Sequence, residues 1–204
     1  MATIGRANLP VPAGGNSPTV PADIAALAEA VDPHLRHTVT NKAQRDTLFA
    51  DAPAHTLVTA DDGSMWLKVS STSNTWVSIY EAPEAWRPLP LASGFTAGEQ
   101  APEIRRIGTH VWMRGRVQRV DGAVIFNLSA TKIAQVPADC VPLALASGAA
   151  GQSVVGDPVT GVGRIEVLAT GWERPEGGAG SVLWYSQDGT GSTWVGCDLE
   201  YWID

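Results

Sequence analysis

Glu166, Glu173, Asp188, Asp198 and Glu200 supply carboxylates in number in the last forty residues, and glycoside hydrolysis needs two of them facing across a cleft. Nothing in their spacing fixes such a separation, so no catalytic pair is assigned. The segment GQSVVG misses the G-x-S-x-G nucleophile elbow by one residue and falls in a predicted loop rather than at a strand-to-helix turn. His34, His37, His55 and His110 are scattered, with neither H-E-x-x-H nor a Cys/His zinc spacing. Cys140 and Cys197 show no C-x-x-C spacing and read as small core residues, the spacing leaving a disulfide open. GVGR and GTGS lack the following helix that a phosphate-binding loop requires. The NLS triplet at Asn127 sits inside a predicted strand and reads as chance. The sequence therefore predicts no catalytic residue, no metal site and no cofactor.

Recognition is the chemistry better represented. Eight Trp stand against three Tyr and three Phe, and an indole, with a flat apolar face and one donor, suits sugar stacking and subunit interfaces equally well. Trp172 lies in TGWERPEGG among Glu, Arg, Pro and Gly, where burial in its own core is hard. That makes it the first candidate for a ligand contact, with loop anchoring as the competing role. Glu173 and Arg174 from the loop segment 172–180, Asp188 from 187–193 and Trp194 directly after it complete the ligand-binding candidates.

Two strands carry a second set. In RIGTHVWMRGRV, Val111, Met113 and Val117 alternate with His110, Trp112, Arg114 and Arg116. In TWVGCDLEYWID, Val195, Cys197, Leu199, Tyr201 and Ile203 alternate with Asp198, Glu200, Trp202 and Asp204. The polar faces are complementary, Trp with arginines against Trp with carboxylates. Adjacent strands or a subunit boundary would join them by ion pairs and a Trp contact without any ligand. Trp112, Arg114, Arg116, Asp198, Glu200 and Trp202 are accordingly candidates for strand or subunit packing.

The elements that position these residues are mostly strands. The chain has 204 residues, 44% apolar and 17% charged, with 21 Gly and 14 Pro, the profile of a turn-rich folded protein. A net charge of -7 argues against nucleic-acid binding, and no run of about 18 apolar residues offers a membrane span. Residues 1–36 read as an extended Pro-rich arm followed by a short helix, in which Ile24, Leu27 and Val31 form an apolar stripe able to pack against copies of itself or on its own chain. Residues 37–84 read as a small module: a helix capped at Thr40 or Asn41, two strands around Asp62-Gly63 and a third in NTWVSIY, with Trp66 and Trp76 covering one another. Residues 85–204 read as successive strands, THVWMRGRVQRV and AVIFNLSA forming a hairpin through Asp121-Gly122. The fold class expected is mainly β, a C-terminal antiparallel, jelly-roll-like β-sandwich preceded by a short helix and a small β module.

The order of segments AWRPLPLASGFTAG, EIRRIGTHVWMRGRV, VPADCVPLA, GRIEVLATG and TWVGCDLEYWI resembles the head domain of tail fibres and receptor-binding proteins of tailed bacteriophages, over residues 86–204. The middle unit is similar to a small phage-fibre module with a helix of the A-x-R-D-x-L kind, here Ala43, Arg45, Asp46 and Leu48, before Asp62, Gly63, Trp66 and Trp76. VPADCVPLA lacks the Gly and Arg of the family's turn, and the chain closes on Trp-Ile-Asp where the family has Gly and Phe. The resemblance implies a virion tail protein made in the host cytoplasm, a homotrimer joined to other tail or baseplate proteins through its N-terminal arm, and a head that attaches to a cell-surface glycan without being an enzyme. A purely structural tail-tip or collar protein and a polysaccharide depolymerase are the alternatives.

Overall fold

The computed structural model describes residues 2–4, 9–11, 20–126, 129–152, 160–187 and 191–204. The chain divides into two compact units, Met1–Ala82 and Pro83–Asp204.

In the first unit, β1 (Ala2–Ile4) pairs antiparallel with β2 (Leu9–Val11), so the described part of the Pro-rich start is a small strand pair and not a featureless arm. Helix α1 (Val20–Val31) begins beside Pro21, carries Asp23 in its first turn and passes into a single 3-10 turn at Asp32–His34. Its stripe is open: Ile24 and Leu27 are exposed and Val31 is half-buried.

A four-stranded sheet follows, ordered β3 (Arg36–Val39), β4 (Leu57–Ala60), β5 (Met65–Lys68), β6 (Trp76–Tyr80). β3 carries no period-two signal, being three polar residues followed by Val39. It runs parallel to β4, which requires a crossover, and α2 (Lys42–Leu48) provides it. Asn41 caps α2 by accepting from the Gln44 N–H at 3.0 Å, while Gln44 Oε1 accepts from the Thr40 N–H at 2.6 Å, a capping box shifted by one residue.

The inner face of this sheet presents Val39, Val58 and Trp66, with Phe49, Ala60 and Trp76 packed against them. Trp66 and Trp76 share that face, and the buried Arg45 guanidinium lies over both rings, 4.7 and 4.9 Å from their centroids. Arg45 Nε donates to Asp46 Oδ1 at 2.9 Å. The Arg-Asp of the helix thus fills the space that the two indoles were expected to close alone. Lys68, fully buried, donates to the Phe49 and Ala50 carbonyls, which end α2 and begin the next turn.

The second unit is antiparallel throughout its described strands. One sheet is ordered β19 (Leu199–Trp202), β10 (His110–Arg114), β9 (Glu103–Ile107), β7 (Arg87–Pro88); a second β18 (Trp194–Gly196), β11 (Arg116–Arg119), β8 (Phe95–Ala97); a third β12 (Thr131–Gln135), β17 (Ser181–Ser186), β14 (Thr160–Val167), β13 (Ala146–Gln152). A two-stranded hairpin, β15 (Glu173–Arg174) and β16 (Gly177–Gly178), stands apart. All three larger sheets contribute to one core. Ile104, Val111, Met113 and Tyr201 come from the first, Val117 and Val195 from the second, and Ile133, Ile165, Val167, Val182 and Trp184 from the third. The chain is mainly β, with several antiparallel sheets and, among the described residues, two α-helices.

Among the described residues the Asp121-Gly122 hairpin does not form: β11 pairs with β18 and β8, and Ile125 makes an isolated bridge to Ser192. Asp121 instead accepts from Arg119 and from the Ala123 N–H at 3.0 Å, a side-chain turn that ends the strand. GVGR lies within β14. There Gly163 lets β17 approach, since a Cβ would lie 2.1 Å from the Tyr185 carbonyl oxygen and 2.4 Å from the Trp184 ring. The closing segment is two strands in two sheets, β18 and β19, and the segment around RIGTHVWMRGRV is divided in the same way.

Gly115 divides that segment. At φ +98, with the Ala101 carbonyl oxygen 2.2 Å from where a Cβ would be, only glycine passes the chain from β10 to β11. The N–H groups of Arg116 and Cys197 are caught on either side, by Gln100 O at 2.9 Å and Gly115 O at 2.8 Å.

Candidate functional site

The outward residues of β10 are His110, Trp112 and Arg114. Strand pairing sets Trp202 and Glu200 of β19 opposite His110 and Trp112. On the other side it sets Ile107, Arg105 and Glu103 of β9 opposite His110, Trp112 and Arg114. Trp86, just before β7, reaches the same face.

These side chains form a ladder across the sheet. The Trp202 ring stacks on His110 at 4.3 Å and 11°, and His110 lies 3.9 Å from Trp112 at a tilt of 43°. The Arg105 guanidinium lies 5.6 Å from Trp112 and 4.6 Å from Trp86, and Arg114 lies 3.9 Å from Trp86. Each such contact contributes about 0.5–1.5 kcal/mol beyond area burial, so the row is stiff. Its inner rings spend their faces on one another and on the guanidinium groups. Trp202, on the edge strand, is 60% exposed: His110 covers one of its faces and the other is left for solvent.

Charges on this face are mostly matched. Arg114 donates from Nε and its terminal nitrogen to Glu103 at 2.9 and 2.7 Å. Glu200 stands 3.7 Å from His110 Nε2. The structure therefore brings Trp112, Arg114, Glu200 and Trp202 onto one face, but Arg114 takes its carboxylate from β9 and not from the closing strand. Arg116 lies in the second sheet, over Trp194 at 4.0 Å and 3.3 Å from Glu99. Asp198 is exposed in the link between β18 and β19. It borders an open hollow of about 360 Å³ with Gln100, Glu103, Arg114 and Gly115, and another of about 240 Å³ with Arg116 and Trp194.

The loop candidates have a different setting. Trp172 is 42% exposed, in the turn before the β15–β16 hairpin, with Arg174 5.4 Å from its ring. Arg174 is engaged: it lies 3.2 Å from Glu166 and donates to the Tyr185 hydroxyl. Glu166, 1% exposed, also holds Arg164 at 2.8 Å. A buried carboxylate between two guanidinium groups pins the hairpin to the sheet, and burial together with Glu166 raises the Tyr185 pKa. Glu173 is exposed beside it. Asp188 lies outside the described residues, as do Asn127 and Leu128 of the NLS triplet.

Apart from the exposed Arg119–Asp121 pair, in which Arg119 lowers the Asp121 carboxyl, the other titratable groups with displaced pKa values belong to the core and its margin. Burial pushes the Cys140 thiol up to about 11 and Cys197 to about 12, and both are free and buried. Burial also raises Tyr201, whose hydroxyl donates to the Cys140 carbonyl at 2.8 Å. Arg87, which donates to Asp139 at 2.8 Å, lowers that carboxyl. No cluster of three metal-ligating side chains occurs among the described residues, and no helix of the described residues is long and apolar enough to cross a membrane.

Trp86, Arg105 and His110 were not singled out as site residues from the sequence. Trp86 falls in a segment that reads as a linker. Arg105 carried a signal, its place one step from Ile104 in an alternating strand, but pairing with Trp112 needs the register.

No protein-family model, no curated protein and no solved structure matches the chain.

Proposed function

We propose that the chain is a tail-fibre or baseplate protein of a tailed bacteriophage that attaches the virion to a glycan on the host surface. In this reading residues 85–204 form a jelly-roll-like β-sandwich head. The protein works as a homotrimer whose α1 stripe of Ile24, Leu27 and Val31 packs between copies, and its N-terminal segment joins other tail proteins. The order of segments quoted above supports the family, and the open Ile24 and Leu27 support the contact between copies.

The observation that carries the glycan reading is Trp202. A half-exposed indole backed by a stacked imidazole, on a rigid sheet face with Glu200 and the Arg114–Glu103 pair beside it, offers an apolar plate and fixed hydrogen-bonding groups together. Sugars, with apolar ring faces and equatorial hydroxyls, fit that combination. Trp172 is a second plate of the same kind, smaller in exposure and tied to a pinned hairpin. No catalytic step is assigned: Glu103 is paired to Arg114, and Glu200 faces the His110 ring.

Labelled full-length protein incubated with a panel of bacterial strains tests this. Saturable binding to some strains, abolished by periodate oxidation of their surface sugars, is the expected result. Binding to no strain by protein that light scattering shows to be a folded trimer would leave the structural tail-tip role instead.

A further inference from the structure

Arginine laid over an aromatic ring recurs through this protein, and the recurrences differ in one respect. Arg45 lies over Trp66 and Trp76 and is paired to Asp46. Arg114 lies over Trp86 with Glu103, and Arg116 over Trp194 with Glu99. Arg164 lies over Tyr185 and Arg174 by Trp172, both with Glu166. Arg105 has its two indoles, Trp86 and Trp112, yet no carboxylate at ion-pair distance among the described residues. Its Nε is buried with no hydrogen-bond partner.

The consequence is chemical. Rings beside a guanidinium engage its π system but none of its in-plane N–H donors, which are suited to two oxygens of one anion. At five other positions this chain supplies the anion itself; Arg105, half-buried on the outer face of the sheet, has none, and with its Nε buried it is the terminal nitrogens that an anion from solution can reach. The Arg105 and Trp202 backbones are two strand spacings and two residues apart, about 12 Å. That span exceeds one sugar ring, so a ligand reaching both is an oligosaccharide.

We propose that the ladder face binds an anionic glycan, with Trp202 stacking on a sugar ring and Arg105 taking the carboxylate or phosphate oxygens of a neighbouring unit. This deepens the glycan-attachment reading and rests on it. Uronic acids and polyol phosphates share the required chemistry.

The test uses the full-length protein and three immobilised polymers: polygalacturonate, the neutral galactan made by reducing its carboxyl groups, and poly(glycerol phosphate) carrying glucosyl substituents, which supply the ring that the bare polymer lacks. The wild type is expected to bind at least one anionic polymer tenfold or more tightly than the neutral one, and which one identifies the source of the anion. Arg105→Gln is expected to erase that difference, and Arg105→Lys, which keeps the charge but loses the fork, to restore it only partly. Trp202→Ala is expected to weaken binding at least tenfold while staying folded, its melting temperature lowered by only a few degrees through loss of the His110 stack.

Equal wild-type binding to charged and neutral polymers would overturn the anion assignment while leaving glycan attachment intact, as would failure to bind any of the three by protein that still binds cells. A change of oligomeric state in Arg105→Gln without change in polymer binding would assign Arg105 to a subunit contact and also overturn it. Loss of cell binding by the wild type after periodate, or its persistence, reports on the attachment reading separately.

Discussion

Replacing Gly115 by alanine should destabilise the second unit far more than the same change at Gly122, though both glycines have positive φ, +98 and +69. At Gly122 a Cβ meets nothing within 4 Å, so the cost is the left-handed backbone alone, about 1–2 kcal/mol. At Gly115 the Cβ would lie 2.2 Å from Ala101 O and 2.7 Å from both Ala101 C and Pro102 Cα. These are backbone atoms that cannot swing aside, and forced overpacking adds about 1–3 kcal/mol to a backbone penalty of about 1–3. The expected difference between the variants is about 2 kcal/mol. With a urea slope of about 1–3 kcal/mol/M, that is a midpoint shift near 1 M. Urea unfolding of the two full-length variants, followed by Trp fluorescence, measures it. Midpoints for Gly115→Ala and Gly122→Ala that agree within about 0.2 M would refute the close passage between β10 and β11, and with it the geometry that presents the ladder.

Glu166→Gln should cost about 2 kcal/mol, below the 3–5 of a fully buried broken pair because Arg164 and Arg174 retain 50% and 31% exposure; faster amide exchange at Gly177 and Gly178 would show the hairpin released. Arg45→Lys should lower the stability of the first unit by about 1–2 kcal/mol, since an ammonium cannot lie flat over Trp66 and Trp76; exchange rates in β5 and β6 read it. Cys140 and Cys197 have folded-state pKa values raised to about 11 and 12, against about 8.5 unfolded. The stability they contribute is whole below pH 8.5 and declines as pH rises towards those values, by up to about 2 kcal/mol per thiol at pH 10.5. Cys197→Ala should flatten that decline in urea titrations at pH 8 and pH 10.5.

Alternation made the two long strands readable in sequence, because a buried face at period two leaves a residue-by-residue trace: Val111 and Met113 on β10, Val195 and Cys197 beside β19. Their pairing is a fact of register, which no single strand encodes, and so the ladder could be seen only in halves. Trp112 and Trp202 were visible as outward aromatics, while Trp86 and Arg105 gained their meaning from strands three and two places away in the sheet. The Asp121-Gly122 signal misled for a local reason: the Asp side chain serves Arg119 and the Ala123 N–H, and the residues after it join no ladder with β11. β3 escaped because a parallel strand of four residues draws its stability from β4 and not from its own pattern.

The ladder unites the fold with the proposed attachment, and Trp202 is its exposed end. The most direct measurement is the affinity of wild-type and Trp202→Ala protein for cells of a strain the wild type binds. The circular dichroism spectra should match and a cooperative melting transition be kept, and Trp172→Ala should be run beside them. A loss of tenfold or more in Trp202→Ala, exceeding that in Trp172→Ala, is the predicted result. Unchanged affinity in a folded Trp202→Ala protein would contradict recognition by the sheet face.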